Sequence, residues 1–426
     1  MDVFFNATPM QIELSVILRL ATFHKSNLIV LLHNYSHTII LALFNLNIFE
    51  EGIVVKKMNA IFVTILSIFL GVTLFSCGEK QDSQELARLK SQVNDLKAQL
   101  EKKSEAPVPS GGTLKAVLDK GFIQAGVNGS IFGFGKADEN GVWKGLDVDC
   151  ARALSVAVFG SPDKLKFTPL TAKTRFTALQ SGEIDVLFRN CTQTLSRDTA
   201  LGLDFVTVNY YDGQGFLVPK KLGVKSAKEL DGASVCVLPG TTTELNVADY
   251  FRSNGMKMNP VVIENTAELN KAFFAGRCDC LTSDASQLAG QRAVAPNPSD
   301  YMILPEIISK EPLAPAVRHG DNQWKDIVNY SVLALINAEE LGITSKNVDE
   351  MLNSNDPKIK RFLGVSPGNG KALGLDEKFA YKIIKMVGNY GEVFERNVGV
   401  NTQLGLERGL NALWTDGGLL YSPPFK

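Results

Sequence analysis

Histidine is scarce in this sequence. Four occur in 426 residues, and three of them, His24, His33 and His37, precede the position where the mature protein is expected to begin. With His319 alone remaining, a histidine-rich metal site is excluded, and no metal or other cofactor is expected. A basic excess is also lacking: the formal net charge is −1, so nucleic acid is not an expected partner. Residues 1–53 carry apolar bursts but lack helix caps, turn chemistry and an uninterrupted stretch of membrane length. They are expected to be an over-extended gene start rather than a domain. The full sequence has an apolar fraction of 45% and length enough to bury a large core in two or three domains.

Lys56 and Lys57 precede an uncharged run from Met58 to Ser76, followed by Cys77. A positive start, an apolar middle and a small residue before the cleavage point make a secretory signal, here over residues 54–76 with Val54 or Val55 read as an alternative start. The ending Leu74-Phe-Ser-Cys77 resembles a bacterial lipobox, which implies that Cys77 carries lipid and is the first mature residue. Residues 77–111 then read as a stalk and linker. Leu86, Leu89, Val93, Leu96 and Leu100 recur at spacings of 3, 4, 3 and 4, either a short self-associating coiled coil or a solvated helical spacer. Pro107, Pro109, Gly111 and Gly112 form a flexible break.

From Thr113 onward, apolar runs at strand length alternate with helical patterns, which predicts an α/β fold with mainly parallel sheets. One unit runs from Phe122 to Phe188 and a second from Ser234 to Thr282, so two lobes with a cleft between them are expected. Gln214–Pro219 and Met302–Val317 read as the crossings. In Gly182–Asp198 a short apolar run empties into Arg189, Asn190, Thr192, Thr194 and Arg197; donors at a strand's carboxyl end are the usual way such a sheet presents an anion site. In the second unit Thr241 and Glu244 stand at capping-box spacing at the start of a helix, whose free N–H groups attract anions. Asp284 ends a strand with a carboxylate suited to an ammonium.

Gly145-Leu-Asp-Val-Asp149, Arg175-Phe-Thr-Ala-Leu-Gln-Ser-Gly-Glu-Ile-Asp185, Gly240-Thr-Thr-Thr-Glu-Leu-Asn246, Ser309-Lys-Glu-Pro-Leu-Ala-Pro-Ala-Val-Arg-His-Gly320 and Ala338-Glu-Glu-Leu-Gly342 carry a resemblance over Gly112–Lys426. The chain resembles the extracytoplasmic solute-binding proteins of polar amino-acid ABC transporters, family 3, most closely the general L-amino-acid branch. The resemblance implies a two-lobe type II periplasmic-binding fold, with residues 112–212 and 313–426 forming lobe 1 and residues 213–312 lobe 2. It also implies an ABC permease as partner and a free L-amino acid as ligand. By the same resemblance Arg197 clamps the α-carboxylate with Thr192 and Thr242, Asp284 holds the α-ammonium, and Arg175 meets an acidic side chain. Asn190 and Asp149 are further candidate contacts in the cleft, and Asn128–Phe134, with Phe132 and Phe134, would wall the pocket. Glutamate, aspartate, glutamine or asparagine is the expected ligand.

With Cys77 assigned to lipid, five cysteines remain. Cys278 and Cys280 are expected on one face of a strand, and either could meet Cys236. The rival reading is a periplasmic dehydratase-like enzyme on the same fold, whose cleft acid or base would be Asp149, Asp284 or Glu244.

Overall fold

Short apolar runs bounded by turn residues become the central strands of two separate sheets. The computed structural model describes residues 112–426, all within one compact unit. The expected gene-start extension, signal, lipidated Cys77 and stalk lie outside the described residues. Among the described residues no helix is long and apolar enough to cross a membrane.

The first sheet has the order Leu165–Pro169, Ile123–Val127, Val186–Leu187, Ala316–Arg318, Leu203–Phe205. Its first three strands are parallel, whereas Ala316–Arg318 returns from far along the chain and pairs antiparallel with both neighbours. The second sheet has the order Asn259–Val262, Ser234–Val237, Cys280–Asp284, Gln214–Pro219, Tyr301–Ile303. Gln214–Pro219, expected to be a crossing, is therefore an internal strand of this sheet, antiparallel to Cys280–Asp284. The crossings are Tyr210–Asp212 and Glu311–Leu313, which pair antiparallel with Asp212 opposite Glu311. These two carboxylate-bearing residues thus mark where the chain leaves one lobe and comes back to it.

Side-chain alternation explains the second lobe's core. Phe216, Val218, Val235 and Val237 face one side with Val247 and Phe251; Leu217, Cys236 and Leu281 face the other with Leu269 and Phe273. Helices cover both faces, so the strands read as continuous apolar runs. The same alternation settles the cysteines. Cys236 and Cys278 share one core face and are disulfide-bonded with Cα atoms 5.6 Å apart. Cys280 begins the strand and faces the opposite core, so Cys278 and Cys280 do not share a face; Cys150, Cys191 and Cys280 are free and buried.

The C-terminal helices belong to the first lobe. Asn322–Glu340, Phe379–Val387 and Tyr390–Asn397 contribute Trp324, Ile383, Tyr390 and Phe394 to the core that also holds Ala125, Leu146 and Leu154. Two buried anchors fix them to the sheet. Trp324 Nε1 donates to the Asp185 carbonyl at 3.0 Å, and Tyr390 Oη donates to the Asn209 carbonyl at 2.7 Å. Full burial of one such ring is worth about 1.5–3 kcal/mol, and Trp324→Ala would cost about 3–5 kcal/mol.

Candidate functional site

Strand ends from both sheets converge on one cavity, lined from the first lobe by Asn128, Arg175, Arg189, Asn190 and Thr192 and from the second by Thr241, Thr242, Thr243, Ser283, Asp284 and Gln287. Val186–Leu187 is buried on both sides, so the polar residues following it are forced out at the strand's carboxyl end. Asn190 there has φ 33°, the one positive value outside glycine among the described residues. Asparagine tolerates this left-handed region better than most residues, and a strained residue over a cavity points to function. Its N–H donates to Asp147 Oδ2 at 2.7 Å, while its Nδ2 crosses the cleft to Asp284 Oδ2 at 3.3 Å and Gln287 Oε1 at 3.4 Å.

The first lobe supplies the positive pole. Arg175 opens the helix Arg175–Gln180 and is 3% exposed. Its guanidinium lies 4.7 Å from the Phe176 ring centre, and its Nε has no hydrogen-bond partner. Arg189 Nε donates to the Leu170 carbonyl at 2.9 Å. Burial pushes Arg175 down to about 10 and Arg189 down to about 9, with neighbouring guanidiniums adding to the effect. Both stay charged at neutral pH. Arg197 is buried behind Thr192, where it donates to the Thr192 carbonyl at 2.7 Å and shares the Phe176 ring at 5.2 Å.

The negative pole comes from the second lobe and the crossing. Asp284 ends its strand at the N-cap position of Ala285–Ala293 yet makes no capping bond. Its side chain is left facing the cavity. Asp212 accepts from the Ser286 hydroxyl instead. Burial first, then the carboxylates of Asp212 and Glu311, hold the Asp284 carboxyl well above its ordinary range. Burial likewise pushes Asp212 up to about 6. Glu311, 1% exposed, accepts at Oε2 from the hydroxyls of Thr192 at 2.6 Å and Thr242 at 2.8 Å. Its Oε1 accepts from Asn246 at 2.8 Å and Ser309 at 2.6 Å.

The structure brings together Arg175, Asn190, Thr192, Thr242 and Asp284, with Arg197 one residue layer behind. Two expected contacts stand elsewhere. Asp149 lies on the buried side of Leu146–Phe159, paired with Arg152 at 2.8 Å and Arg396 at 2.8 Å and accepting from Asn397 at 2.6 Å. A carboxylate so paired has no share in the cavity, which corrects the expectation for Asp149. Phe134 is a core residue, edge-on to Tyr210 with ring centres 5.2 Å apart. Its expected place in the pocket wall is corrected likewise, since Gly145 seats its backbone: a Cβ at Gly145 would lie 2.0 Å from the Phe134 carbonyl oxygen.

Glu244 serves its own helix start, where its Oε2 accepts from Gly240 N–H at 2.8 Å and its N–H donates to the Thr241 hydroxyl at 3.1 Å. Glu311, Gln287 and Asp212 were given no role by sequence reasoning. Gln287 follows Asp284 by three residues in the first helical turn, a spacing that could have been followed. Among the described residues Asp198, Asp204 and His319 form a group at metal-ligand spacing. Lys325 already sits 3.1 Å from Asp204, which makes this an ion-pair cluster.

Residues 123–347 match the model of the bacterial extracellular solute-binding proteins, family 3. The chain is similar to the general L-amino acid-binding periplasmic protein AapJ of Rhizobium johnstonii, at 58% identity over 323 residues covering 75% of this chain and 95% of that protein. It is similar also to the glutamate/glutamine/aspartate/asparagine-binding protein BztA of Rhodobacter capsulatus, at 56% identity with coverage of 75% and 95%. Among solved structures, a periplasmic binding protein from Brucella ovis with glutathione bound is 56% identical and superposes with a TM-score of 0.73, covering 74% of this chain and 99% of that one.

Proposed function

The chain belongs to the bacterial extracellular solute-binding proteins of family 3 and has their type II two-lobe fold; from that premise we propose that its cleft captures a free acidic or amide L-amino acid for delivery to an ABC permease. It is a binding protein of amino-acid transport, not an enzyme: relatives more than half identical over three quarters of the chain carry binding-protein names.

One observation carries the ligand reading. The cavity has a cationic wall and an anionic wall and holds unpartnered polar atoms, Arg175 Nε, Asn190 Oδ1 and Gln287 Nε2. Buried polar groups in native proteins are paired, and a zwitterion supplies both charges at once. In this reading Asp284 takes the α-ammonium, the backbone N–H groups of Thr192 and Thr242, whose hydroxyls are given to Glu311, take the α-carboxylate with Arg197 behind them, and Arg175 with Asn190 meets the side-chain carboxylate or amide. Charge-assisted bonds of this kind contribute about 1.5–3 kcal/mol each. The ligand names of the R. capsulatus relative support an acidic or amide side chain. A second reading, a peptide carrying the same zwitterionic head on a side-chain-linked tail, is supported by the glutathione in the B. ovis relative.

The protein is extracytoplasmic, and its anchoring through a lipid on Cys77 is part of the proposal, supported by the signal-like run that precedes Cys77. Mass spectrometry of the co-purifying ligand, repeated on Arg197→Ala, tests the function. A free amino acid retained by the wild type and lost from the variant is expected. Unchanged retention by Arg197→Ala would remove Arg197 from the site.

A further inference from the structure

A second, narrow cleft adjoins the amino-acid cavity, and Gln287 lines both. Its first-lobe wall includes Phe132 and Lys136, its second-lobe wall Asn270, Gly290 and Gln291. The helix Ala285–Ala293 dictates the second wall: Gln287, Gly290 and Gln291 are spaced three and four apart, so they share one face. Gly290 brings that face close to the other lobe, since a Cβ there would stand 3.0 Å from the Phe132 carbonyl oxygen.

What marks this cleft is its unpaired amides. Asn270 Oδ1 and both polar atoms of Gln291 have no hydrogen-bond partner, although Gln291 is only 4% exposed. A buried and unpaired polar group is destabilising, so the lining is matched to an occupant with donors and acceptors of its own. An apolar side chain would leave every one of these amides unpaired. A simple carboxylate would use their donors but repel their carbonyl oxygens. A peptide group presents one N–H and one C=O, the complement of a carboxamide. Lys136 adds a cation on the facing wall.

We infer that this second cleft is a subsite for the amide-linked tail of a side-chain-extended amino acid, of the γ-glutamyl dipeptide class, whose terminal carboxylate faces Lys136. The inference rests on the amino-acid reading of the first cavity: the zwitterionic head sits there, and the tail passes Gln287 into the adjoining space. Gln291 pairs with the linking peptide group. Free glutamine or glutamate occupies the first cavity and leaves the subsite to water.

Calorimetric titration of the full chain with L-glutamine, γ-L-glutamylglycine and the C-terminal amide of γ-L-glutamylglycine tests it, on the wild type, Gln291→Leu and Lys136→Ala. All three compounds are expected to bind the wild type. Gln291→Leu is expected to weaken both dipeptide compounds about tenfold while glutamine stays within about twofold. Lys136→Ala, at an exposed position, is expected to weaken the acid and leave its amide unchanged. Binding of glutamine without the dipeptide overturns the subsite and leaves the amino-acid reading standing. An equal loss of all three compounds in Gln291→Leu, with Lys136→Ala inert, assigns Gln291 to structure and also overturns it. If none of the three binds the wild type, the amino-acid reading itself fails, and the subsite with it.

Discussion

The hydroxyls of Thr192 and Thr242 stand 3.4 Å apart although they follow strands of different sheets, and both reach the same oxygen of Glu311. Glu311 lies in the crossing strand, so one carboxylate ties the hinge to the facing lips of both lobes. Such a contact favours the closed state, and a ligand's apparent affinity scales with the fraction of protein able to close. Glu311→Gln keeps the shape but replaces a charged acceptor by a neutral one. About a tenfold loss of affinity is expected, together with a larger radius of gyration for the ligand-free protein in X-ray scattering. Unchanged values of both would remove the latch.

In the proposed binding mode Asp284 is expected to make binding pH-dependent. Burial, then Asp212 and Glu311, raise its carboxyl well above the ordinary value; Arg175 and Asn190 oppose this shift. A ligand ammonium favours the carboxylate, so binding expels a proton wherever the empty site holds one. Affinity then falls as pH drops through the raised range, by up to about tenfold per pH unit. Titrations over a descending pH series in buffers of differing ionisation enthalpy are expected to show proton release that grows as pH falls and is reduced in Asp284→Asn.

Asp149 and Asp147 divide their roles by two positions on one helix. Asp149 is paired with Arg152 and Arg396, while Asp147 accepts the N–H of the strained Asn190. Asp149→Asn is expected to cost about 1–2 kcal/mol of stability, since Arg396 is 41% exposed and partly screened, and to leave amino-acid affinity unchanged. Denaturant unfolding and calorimetry on the same variant separate the two effects. A tenfold loss of affinity would return Asp149 to the cleft.

The Cys236–Cys278 bond spans 42 residues of the second lobe. Cys278→Ser is expected to cost about 2–4 kcal/mol, lowering the melting temperature by roughly 5–15 °C. Reductant is expected to do the same to the wild type and nothing further to the variant. The buried thiols of Cys150, Cys191 and Cys280 should resist alkylation until unfolding.

The two-lobe fold was legible because strand-length apolar runs and helical patterns alternate twice along the chain. That Arg175, Asn190, Thr192, Thr242 and Asp284 line one cavity was legible because each sits at a strand end or helix start, where an α/β sheet forms its clefts. Asp149 was misplaced for want of phase: sequence spacing says that two aspartates share a helix turn, not which of them meets Arg396. Phe134 was misplaced because an aromatic among glycines reads alike as pocket wall and as core. Glu311 was hidden since its partners, Thr192 and Thr242, are 119 and 69 residues away, and only the folded crossing brings them to it. The disulfide partner was ambiguous until the strand was seen to begin at Cys280 rather than Cys278.

The central claim is that opposed charges on the two lobes hold the head of an acidic or amide L-amino acid. Calorimetric titration of the wild type and Asp284→Ala with a panel of free L-amino acids tests it most directly. Binding of glutamate, aspartate, glutamine or asparagine by the wild type is expected, weakened by about 30-fold or more in the variant, as when one partner of a buried charge pair is removed. Binding of only basic or only branched-chain amino acids, or equal affinity in Asp284→Ala, would contradict it.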